Sequence, residues 1–337
     1  MQTITHIQPN LNPLFTEFEY LYAITSERHN VQNQLIPPAI SNIFIPLLHL
    51  FQDYGNAEYH VKFHEYHVNK IKLEKYSKKN IIVCFSGGKD SLATALYYMQ
   101  KKYDVHLYHL KGINKTYKDE YLTAKKLAEM LGLPLYTDEI QLKGEQEWTE
   151  HPLKNMILAN MALQYGIRTG IGTNIAFGNF YTSTLEEDPF DVCGGDCKEM
   201  WQEYNKVIQY IIPGFEVCTP LQNFQTTIDI LCKYPEYISY TQSCIGPYRY
   251  REYLHKNNQI KYNIELPEHR CGSCWKCCLE YIIFCDKGIY DYNEAYYNHC
   301  IDILQTTLYK ETGIKYNKND TFNHYIFYDR SQSKWVV

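Results

Sequence analysis

Long apolar runs are missing from this sequence. No stretch of about eighteen apolar residues occurs, so no membrane-spanning helix is expected. The first residues, MQTITHIQPNLNP, lack the basic start and the apolar stretch of a signal peptide. Positive charge is not in excess either, because 33 Lys and Arg stand against 38 Asp and Glu, a net charge of −5. This balance disfavours broad electrostatic binding to nucleic acid. We expect a cytoplasmic protein without contact to a membrane.

Cysteine is plentiful, but its distribution argues against a framework of disulfides. Twelve cysteines occur, four of them between residues 271 and 278, and no export signal accompanies them. In a reducing compartment such clustering is more typical of a metal site. Three of the four have the two-residue spacing of a thiolate knuckle, and Cys278 adjoins one of these too closely to share an ion with it. The predicted metal ligands are Cys244, Cys271, Cys274 and Cys277. We expect structural zinc, with an iron–sulfur cluster as the alternative.

The chain divides into three predicted units. Residues 1–78 form a small α+β extension, in which 42–51 predicts a helix and the alternating residues 59–63 predict a strand. Residues 79–240 carry an α/β pattern, and residues 241–337 carry the cysteine cluster and further helices.

Apolar runs alternate with helical patterns from residue 80 onward. Strands separated by helices of this length predict βαβ units, and so an α/β fold with a parallel, Rossmann-like sheet covered by helices on both faces. The predicted strands are 81–85, 105–110, 134–140 and 167–173, and the helices between them are 92–99, 121–131 and 153–165. No strands are expected after Asn174; helices are expected at 198–212, 221–232 and 293–310, with an irregular segment at 241–278.

The segment SGGKDS, residues 86–91, lies between a buried strand and a helix start, and we call it the glycine loop. At a helix N-terminus the free backbone N–H groups and the positive end of the dipole favour an anion. Gly87 and Gly88 allow the close backbone approach and unusual conformations that such a turn needs. The spacing excludes a Walker A loop, in which Lys is followed directly by Ser or Thr, and also the dinucleotide motif GxGxxG.

The polar residues of the loop suit a polyphosphate. Ser86 and Ser91 carry hydroxyl groups that donate hydrogen bonds, and Lys89 supplies positive charge. Asp90 repels phosphate directly, so we interpret it as a ligand of Mg²⁺ or as a residue that orients the loop. The sequence therefore predicts a polyphosphate site at this turn, with Mg²⁺ as the candidate ion.

SGGKDS after a buried strand resembles the pyrophosphate-binding loop of the PP-loop ATP pyrophosphatases, which cleave ATP to AMP and pyrophosphate. A cysteine followed by Cys-Gly-x-Cys-x-x-Cys further along resembles one branch, the 7-cyano-7-deazaguanine synthases. HPLKNMILANMALQYGI, IGTNIAFG and CGGDCKEMW resemble further segments of that family, in the same order. The resemblance covers about residues 80 to 285.

This resemblance implies an ATP-dependent C–N ligase of queuosine biosynthesis. Its substrates would be 7-carboxy-7-deazaguanine and an amine donor, ammonia, giving an amide and then a nitrile. It implies that Lys89, Asp90 and Ser91 are catalytic and that residues 86–91, Leu110 and Gly112 bind ATP. Substrate binding would fall to Lys154, Asn155 and Asp196, although Asp196 equally fits a solvated loop carboxylate and the other two fit a helix cap.

The sequence also departs from that family. Residues 1–78 lie outside its pattern, Gly194 and Gly195 replace Tyr-Pro, and the gap between Cys244 and Cys271 is longer. These departures keep open a diverged relative that attaches a deazaguanine to a protein or nucleic-acid amine, in anti-phage defence. A non-catalytic scaffold of the same fold is a further alternative, whereas the net charge gives tRNA thiolation no support. The sequence leaves open a partner protein as acceptor and a homodimer.

Overall fold

The computed structural model describes the central and C-terminal parts of the chain in most detail. The described residues are 79–111, 120–139, 154–172, 174–178, 201–202, 205, 209, 216–221, 224–244, 248–268 and 270–312, together with four strands at 32–36, 60–63, 327–329 and 334–336.

Two of these strands lie before residue 79 and two after residue 312. β1 (Gln32–Ile36) pairs in parallel with β2 (His60–Phe63), which confirms the predicted strand at 59–63. β8 (Phe327–Asp329) pairs antiparallel with β9 (Lys334–Val336). The predicted helix at 42–51 lies outside the described residues, and the division into three units stays a prediction.

A parallel sheet of five strands is the centre of the described fold, as the sequence predicts. Its strands are β3 (Asn80–Cys84), β4 (Asp104–Lys111), β5 (Leu135–Glu139), β6 (Ile175–Ala176) and β7 (Val217–Cys218). Their spatial order is β5-β4-β3-β6-β7, with every pair parallel. The chain runs outward from β3 to β5 and then returns to the other side of β3. The strand order therefore changes direction between β3 and β6. Ligands of such sheets bind at the carboxyl ends of the strands, beside a change of direction of this kind.

Helices cover both faces of the sheet. They are α1 (Lys89–Gln100), α2 (Glu120–Leu131), α3 (Lys154–Thr169) and, beyond β7, α4 (Phe224–Leu231). Ile81 and Val83 of β3 belong to the core cluster shared with α1 and α2. Ile82 points the other way, where its Cδ1 lies against Gly166 of α3. Alternate residues of one strand are thus buried on opposite faces, which explains the continuous apolar run of β3.

The remaining helices are α5 (Pro235–Ile238), α6 (Tyr248–Tyr262), α7 (Trp275–Asp286) and α8 (Glu294–Thr312). α7 packs on α8 through a second apolar cluster that includes Tyr281 and Tyr296. It also contributes Ile283 and Phe284 to the core of the sheet. The helix that follows the cysteine knuckle is therefore fixed to the same core as the glycine loop. No helix among the described residues combines the length and hydrophobicity that crossing a bilayer requires.

Three sequence predictions of secondary structure are wrong. A strand was expected at 167–173, but α3 continues to Thr169, and Gly170 then ends it with a φ of 73°, a conformation that glycine adopts readily. The strands do not stop after Asn174, since β6 and β7 follow; with two residues each they are too short to show alternation. The segment 241–278 is not irregular throughout, because it contains α6. That helix buries polar Arg251 and Asn258, so it lacks an apolar stripe.

The other predicted elements of the α/β region are confirmed within the described residues. The strands at 81–85, 105–110 and 134–140 and the helices at 92–99, 121–131 and 153–165 agree with β3 to β5 and α1 to α3. The helices at 221–232 and 293–310 agree with α4 and α8.

Candidate active site and cysteine centre

The glycine loop lies where β3 ends, beside the point at which the strand order reverses. Its conformation depends on Gly87, which has a φ of 81°. A Cβ atom at this position would lie 2.8 Å from the Ala124 backbone nitrogen, so the loop is in close contact with α2. Gly88 is the N-cap of α1 and supplies no side-chain cap to the helix. The loop thus presents a helix start whose backbone N–H groups suit an anion.

The two serines of the loop are held at this helix start. Ser86 Oγ accepts a hydrogen bond of 3.2 Å from the Gly88 backbone N–H, and Ser91 Oγ donates one of 3.0 Å to the Gly88 carbonyl oxygen. The two hydroxyl oxygens lie 3.3 Å apart. Both predicted phosphate donors therefore lie side by side at the turn.

Two other segments contact the loop. At Gly178, just after β6, a Cβ atom would lie 2.4 Å from the Asp90 carbonyl carbon, so only glycine permits this approach. The Gln242 backbone N–H donates to the Gly87 carbonyl oxygen at 3.0 Å. Ser243 Oγ accepts from the Lys89 backbone N–H at 3.5 Å. Residues 241–244 therefore run along the loop before the first cysteine of the cluster.

Two acidic groups surround the ammonium group of Lys89. Its Nζ lies 3.3 Å from Asp90 Oδ2 and 3.8 Å from Glu280 Oε1 of α7. Glu280 also forms an ion pair with Arg270, whose Nη2 donates to Thr241 Oγ1 at 2.7 Å and to its carbonyl oxygen at 3.1 Å. Lys89 thus belongs to a mostly buried charge network that reaches from the loop to the cysteine region.

Asp90 has one oxygen without a partner. Its Oδ1 is buried and makes no hydrogen bond to any part of the chain that the structure describes. Buried polar atoms are generally paired, and each exception asks for an explanation. A carboxylate oxygen left over beside a helix start that suits an anion fits a hard cation such as Mg²⁺.

The carboxyl end of β4 lies next to that of β3, from which the glycine loop begins. Leu110, predicted to lie against the nucleotide, is buried there, whereas Gly112 lies outside the described residues. His109 Nδ1 donates to the Phe85 carbonyl oxygen at 2.9 Å. Burial lowers the pKa of His109, so the ring is neutral at pH 7. This histidine was not predicted from the sequence.

The predicted substrate residues are described only in part. Asn155 is half-buried in the first turn of α3, and Lys154 begins that helix. Because α3 follows β5, this helix start belongs to the carboxyl edge of the sheet, the same edge as the glycine loop. Asp196 lies outside the described residues. Contact between these three residues and the loop stays a prediction.

The four predicted metal ligands come together. The Sγ atoms of Cys244, Cys271, Cys274 and Cys277 all lie within 4.8 Å of one another. Two of the separations, from Cys244 to Cys274 and from Cys271 to Cys277, are 4.0 Å. Four sulfurs at 2.3 Å from one tetrahedral ion would lie about 3.8 Å apart. The four thiols therefore fit a single ion with only small adjustments.

The backbone around the cysteines is shaped for thiolates. Gly272, with a φ of 70°, closes the knuckle, and Cys271 Sγ accepts from the Ser273 and Cys274 backbone N–H groups at 3.3 and 3.2 Å. Cys244 Sγ accepts from the Cys271 backbone N–H at 3.4 Å. Hydrogen bonds from the other three thiols lower the pKa of Cys244. The backbone N–H bonds to Cys244 and Cys271 would also stabilise these sulfurs as metal-bound thiolates.

Several residues of the site gave no usable signal in the sequence. The segments that bring in cysteines also carry partners of the glycine loop or of its lysine: Ser243 precedes Cys244, and Glu280 lies one turn after Cys277. Arg270, which precedes Cys271, pairs with Glu280. Their positions next to the cysteines were visible, but their contacts depend on tertiary structure. Gly178, like His109, becomes recognisable only once the sheet edge is assembled.

Comparisons with known proteins give no family. No family model matches the chain, and no curated protein matches it. Among solved structures it is similar to the U34-tRNA thiolase NcsA from Methanococcus maripaludis with its [4Fe-4S] cluster, at 16% identity and a TM-score of 0.33, over 54% of this chain and 66% of that one. It is also similar to a predicted subunit of tRNA methyltransferase from Methanocaldococcus jannaschii, at 18% identity and a TM-score of 0.27, over 56% of this chain and 90% of that one. The function is therefore inferred from the residues of the chain itself.

Proposed function

We propose that the protein is an ATP-dependent enzyme that adenylates a carboxylate and releases pyrophosphate. The observation that carries this proposal is the glycine loop at the end of a central parallel strand, where it opens a helix without a side-chain cap. Lys89, Asp90 and two serine hydroxyl groups surround the same helix start. This combination offers backbone donors, a cation and a metal-binding carboxylate to the phosphates of one ATP.

The proposed chemistry needs no side-chain nucleophile. The substrate carboxylate attacks the α-phosphorus of ATP, the bond to the β-phosphate oxygen breaks, and pyrophosphate departs into the glycine loop. An acyl-adenylate remains, and an amine displaces AMP from it. The chain contributes preorganised electrostatic stabilisation, in which Lys89 and the backbone N–H groups meet the charge that develops on the leaving group. Mg²⁺, held by Asp90, would neutralise phosphate charge.

For the acceptor we propose 7-carboxy-7-deazaguanine with ammonia as the amine, from the family resemblance of the sequence. Lys154, Asn155 and Asp196 are the residues proposed to bind it. The alternative is a relative that transfers a deazaguanine to an amine of a protein or nucleic acid in anti-phage defence. A long N-terminal segment and an extra helix, α6, between the first two cysteines favour this alternative, since a large acceptor needs a docking surface.

For the cysteine centre we propose one zinc ion. The sulfur separations of at most 4.8 Å support this choice over an iron–sulfur cluster. In a four-iron cluster each thiolate binds a different iron at a corner of a cube, so the sulfurs lie farther apart than around one ion. No step of the adenylation passes through this metal, whose proposed role is to order residues 241–244 and 270–277.

The test is incubation of the protein with ATP, Mg²⁺ and 7-carboxy-7-deazaguanine. We expect AMP and pyrophosphate in equal amounts, and a free amide or nitrile when ammonia is added. A mass increase on a protein or nucleic acid instead would identify the transferase alternative. ATP bound without AMP formation under either condition would contradict adenylation and favour the scaffold. Native mass spectrometry of the same sample would test the homodimer.

A further inference from the structure

We propose that Glu280, anchored by Arg270, is a positioning residue for the catalytic Lys89. Neither Glu280 nor Arg270 belongs to the loop motif. Glu280 lies on α7, which is distant from the loop in the sequence but close to it in the structure. This inference rests on the proposed function, because it states how the chain holds the cation that faces the departing pyrophosphate.

The burial of the three charged groups is the first argument. The side chain of Glu280 is 2% exposed, that of Arg270 is 4% exposed and that of Lys89 is 11% exposed. A carboxylate this deep is unfavourable unless cations and hydrogen-bond donors compensate for it. Arg270 alone supplies one full positive charge to Glu280 Oε2. The other oxygen, Oε1, is directed toward Lys89, at 3.8 Å from Nζ.

The flexibility of lysine is the second argument. A lysine ammonium is a point charge on a stem of four rotatable carbons, so it has no preferred direction unless its surroundings provide one. Lys89 is the first residue of α1, and it has Asp90 Oδ2 on one side and Glu280 on the other. Electrostatic stabilisation is effective when the charge is already in place before the reaction. Two carboxylates fix the ammonium beside the helix start.

The anchoring of Glu280 is the third argument. Arg270 Nη2 is bound to both oxygens of Thr241, and the next residue, Gln242, donates its backbone N–H to the Gly87 carbonyl oxygen. The Arg270–Glu280 pair is thus also connected to the glycine loop through residues 241 and 242. Movement of Glu280 away from Lys89 would disturb Arg270 and the segment that lines the loop.

The charges of the network explain how Lys89 stays available. Lys89 and Arg270 carry two positive charges, and Asp90 and Glu280 carry two negative charges, so the four groups are neutral together. A Mg²⁺ ion on Asp90 would remove that carboxylate as a competitor for the ammonium. Glu280 Oε1, 3.8 Å from Nζ, would then hold the ammonium beside the helix start, where the phosphates are proposed to bind.

The experiment compares Glu280→Gln and Glu280→Asp with Tyr281→Phe, a matched control on the neighbouring residue of the same helix. Tyr281 Oη donates to the Asp291 carbonyl oxygen and accepts from the Asn293 backbone N–H, so these contacts do not involve the glycine loop. We expect Glu280→Gln to lower kcat for AMP formation about 10²-fold, because a displacement of the Lys89 ammonium by about 1 Å is enough for such a loss. The KM for ATP should change little. Glu280→Asp should recover part of kcat, and Tyr281→Phe should keep the wild-type value.

A second measurement needs no turnover. Acetic anhydride labelling of the nucleotide-free protein, followed by peptide mass spectrometry, reports the accessibility of each lysine. We expect Lys89 to be labelled several-fold faster in Glu280→Gln than in wild type, with Lys125 and Lys126 unchanged. A purely structural role of Glu280 would raise the labelling of many lysines together.

The outcomes separate this inference from the proposed function. Equal labelling of Lys89 in wild type and Glu280→Gln, or equal losses of kcat in Glu280→Gln and Tyr281→Phe, would overturn the positioning role. Absence of AMP formation in the wild type would contradict adenylation, and the labelling experiment would still decide the positioning. If Glu280→Gln does not fold, the double variant Arg270→Gln/Glu280→Gln removes the buried pair together and should show the same selective gain in Lys89 labelling.

Discussion

The glycine loop and the cysteine centre lie side by side but obtain their shape in different ways. The loop is six consecutive residues between buried Phe85 and Leu92, and the core of the sheet holds both of its ends. The centre combines two segments, residues 241–244 and 270–277, and its own apolar cluster contains little more than the cysteines and Leu254. The loop is therefore stabilised by packing and by glycine conformation, whereas we expect the centre to depend on a bound ion.

The two regions are nevertheless in contact. Gln242 and Glu280 contact the loop or its lysine from segments that also carry cysteines. We therefore expect the geometry of the loop to depend on order in the centre more than the centre depends on the loop. This asymmetry is what the following variants are designed to test.

The largest effect is expected from removal of a metal ligand, Cys271→Ser. Structural zinc in small metal-binding peptides is worth about 10–16 kcal/mol, and little apolar packing replaces it here. We expect metal content to fall from one ion per chain to none and amide protection to be lost around residues 244 and 270–277. Protection in β3 and α1 should persist. Elemental analysis and hydrogen exchange measure both.

Cys232→Ser is the matched control, because Cys232 is half-buried and lies outside the cluster. It should keep one metal ion per chain and wild-type exchange. If Cys271→Ser kept the ion, the claim that the centre depends on an ion held by these four cysteines would be contradicted.

A smaller effect is expected from Lys89→Ala, which removes the loop cation. Loss of one preorganised group of this type lowers kcat about 10²–10³-fold. The fold should persist because Glu280 keeps its pair with Arg270. We expect AMP formation to fall by this factor with unchanged metal content, measured by chromatography of the nucleotides and by elemental analysis.

Lys125→Ala, at an exposed position on α2, serves as its control and should behave as wild type. If Lys89→Ala lost the metal as well, the dependence would run from the loop to the centre, opposite to the direction stated above.

The smallest effect is expected from Gly87→Ala. A side chain at a φ of 81° is strained, and the added Cβ would lie 2.8 Å from a backbone nitrogen of α2. We expect the free energy of unfolding to drop by about 1–3 kcal/mol and ATP binding to weaken, with metal content unchanged. Urea denaturation and titration calorimetry are the measurements.

Gly132→Ala provides a control for the backbone strain alone. Gly132 also has a positive φ, 66°, but a Cβ there would meet nothing within 4 Å. It should lose less stability than Gly87→Ala and bind ATP normally. Equal effects of the two variants would mean that contact of the loop with α2 contributes nothing to stability or to ATP binding.

The sequence predicts the parts of the site that are local in the chain. The glycine loop is contiguous, and the cysteines have a recognisable spacing, so both were identified before the structure. The charge partner Glu280 was not, because nothing near Lys89 in the sequence indicates a residue on α7. β6 and β7 were not predicted, because a strand of two residues is too short to show a periodic pattern. α6 escaped because its buried face is polar at Arg251 and Asn258. Long-range charge pairs and very short strands depend on tertiary contacts, and local sequence patterns do not reveal these contacts.

The most direct test of the account is a crystal structure with Mg²⁺ and a non-hydrolysable ATP analogue. We predict the β- and γ-phosphates against the backbone N–H groups of residues 87–91, with Lys89 Nζ in contact with a phosphate oxygen and Mg²⁺ on Asp90. A nucleotide bound elsewhere, with the glycine loop vacant, would contradict the proposal that this turn receives the pyrophosphate.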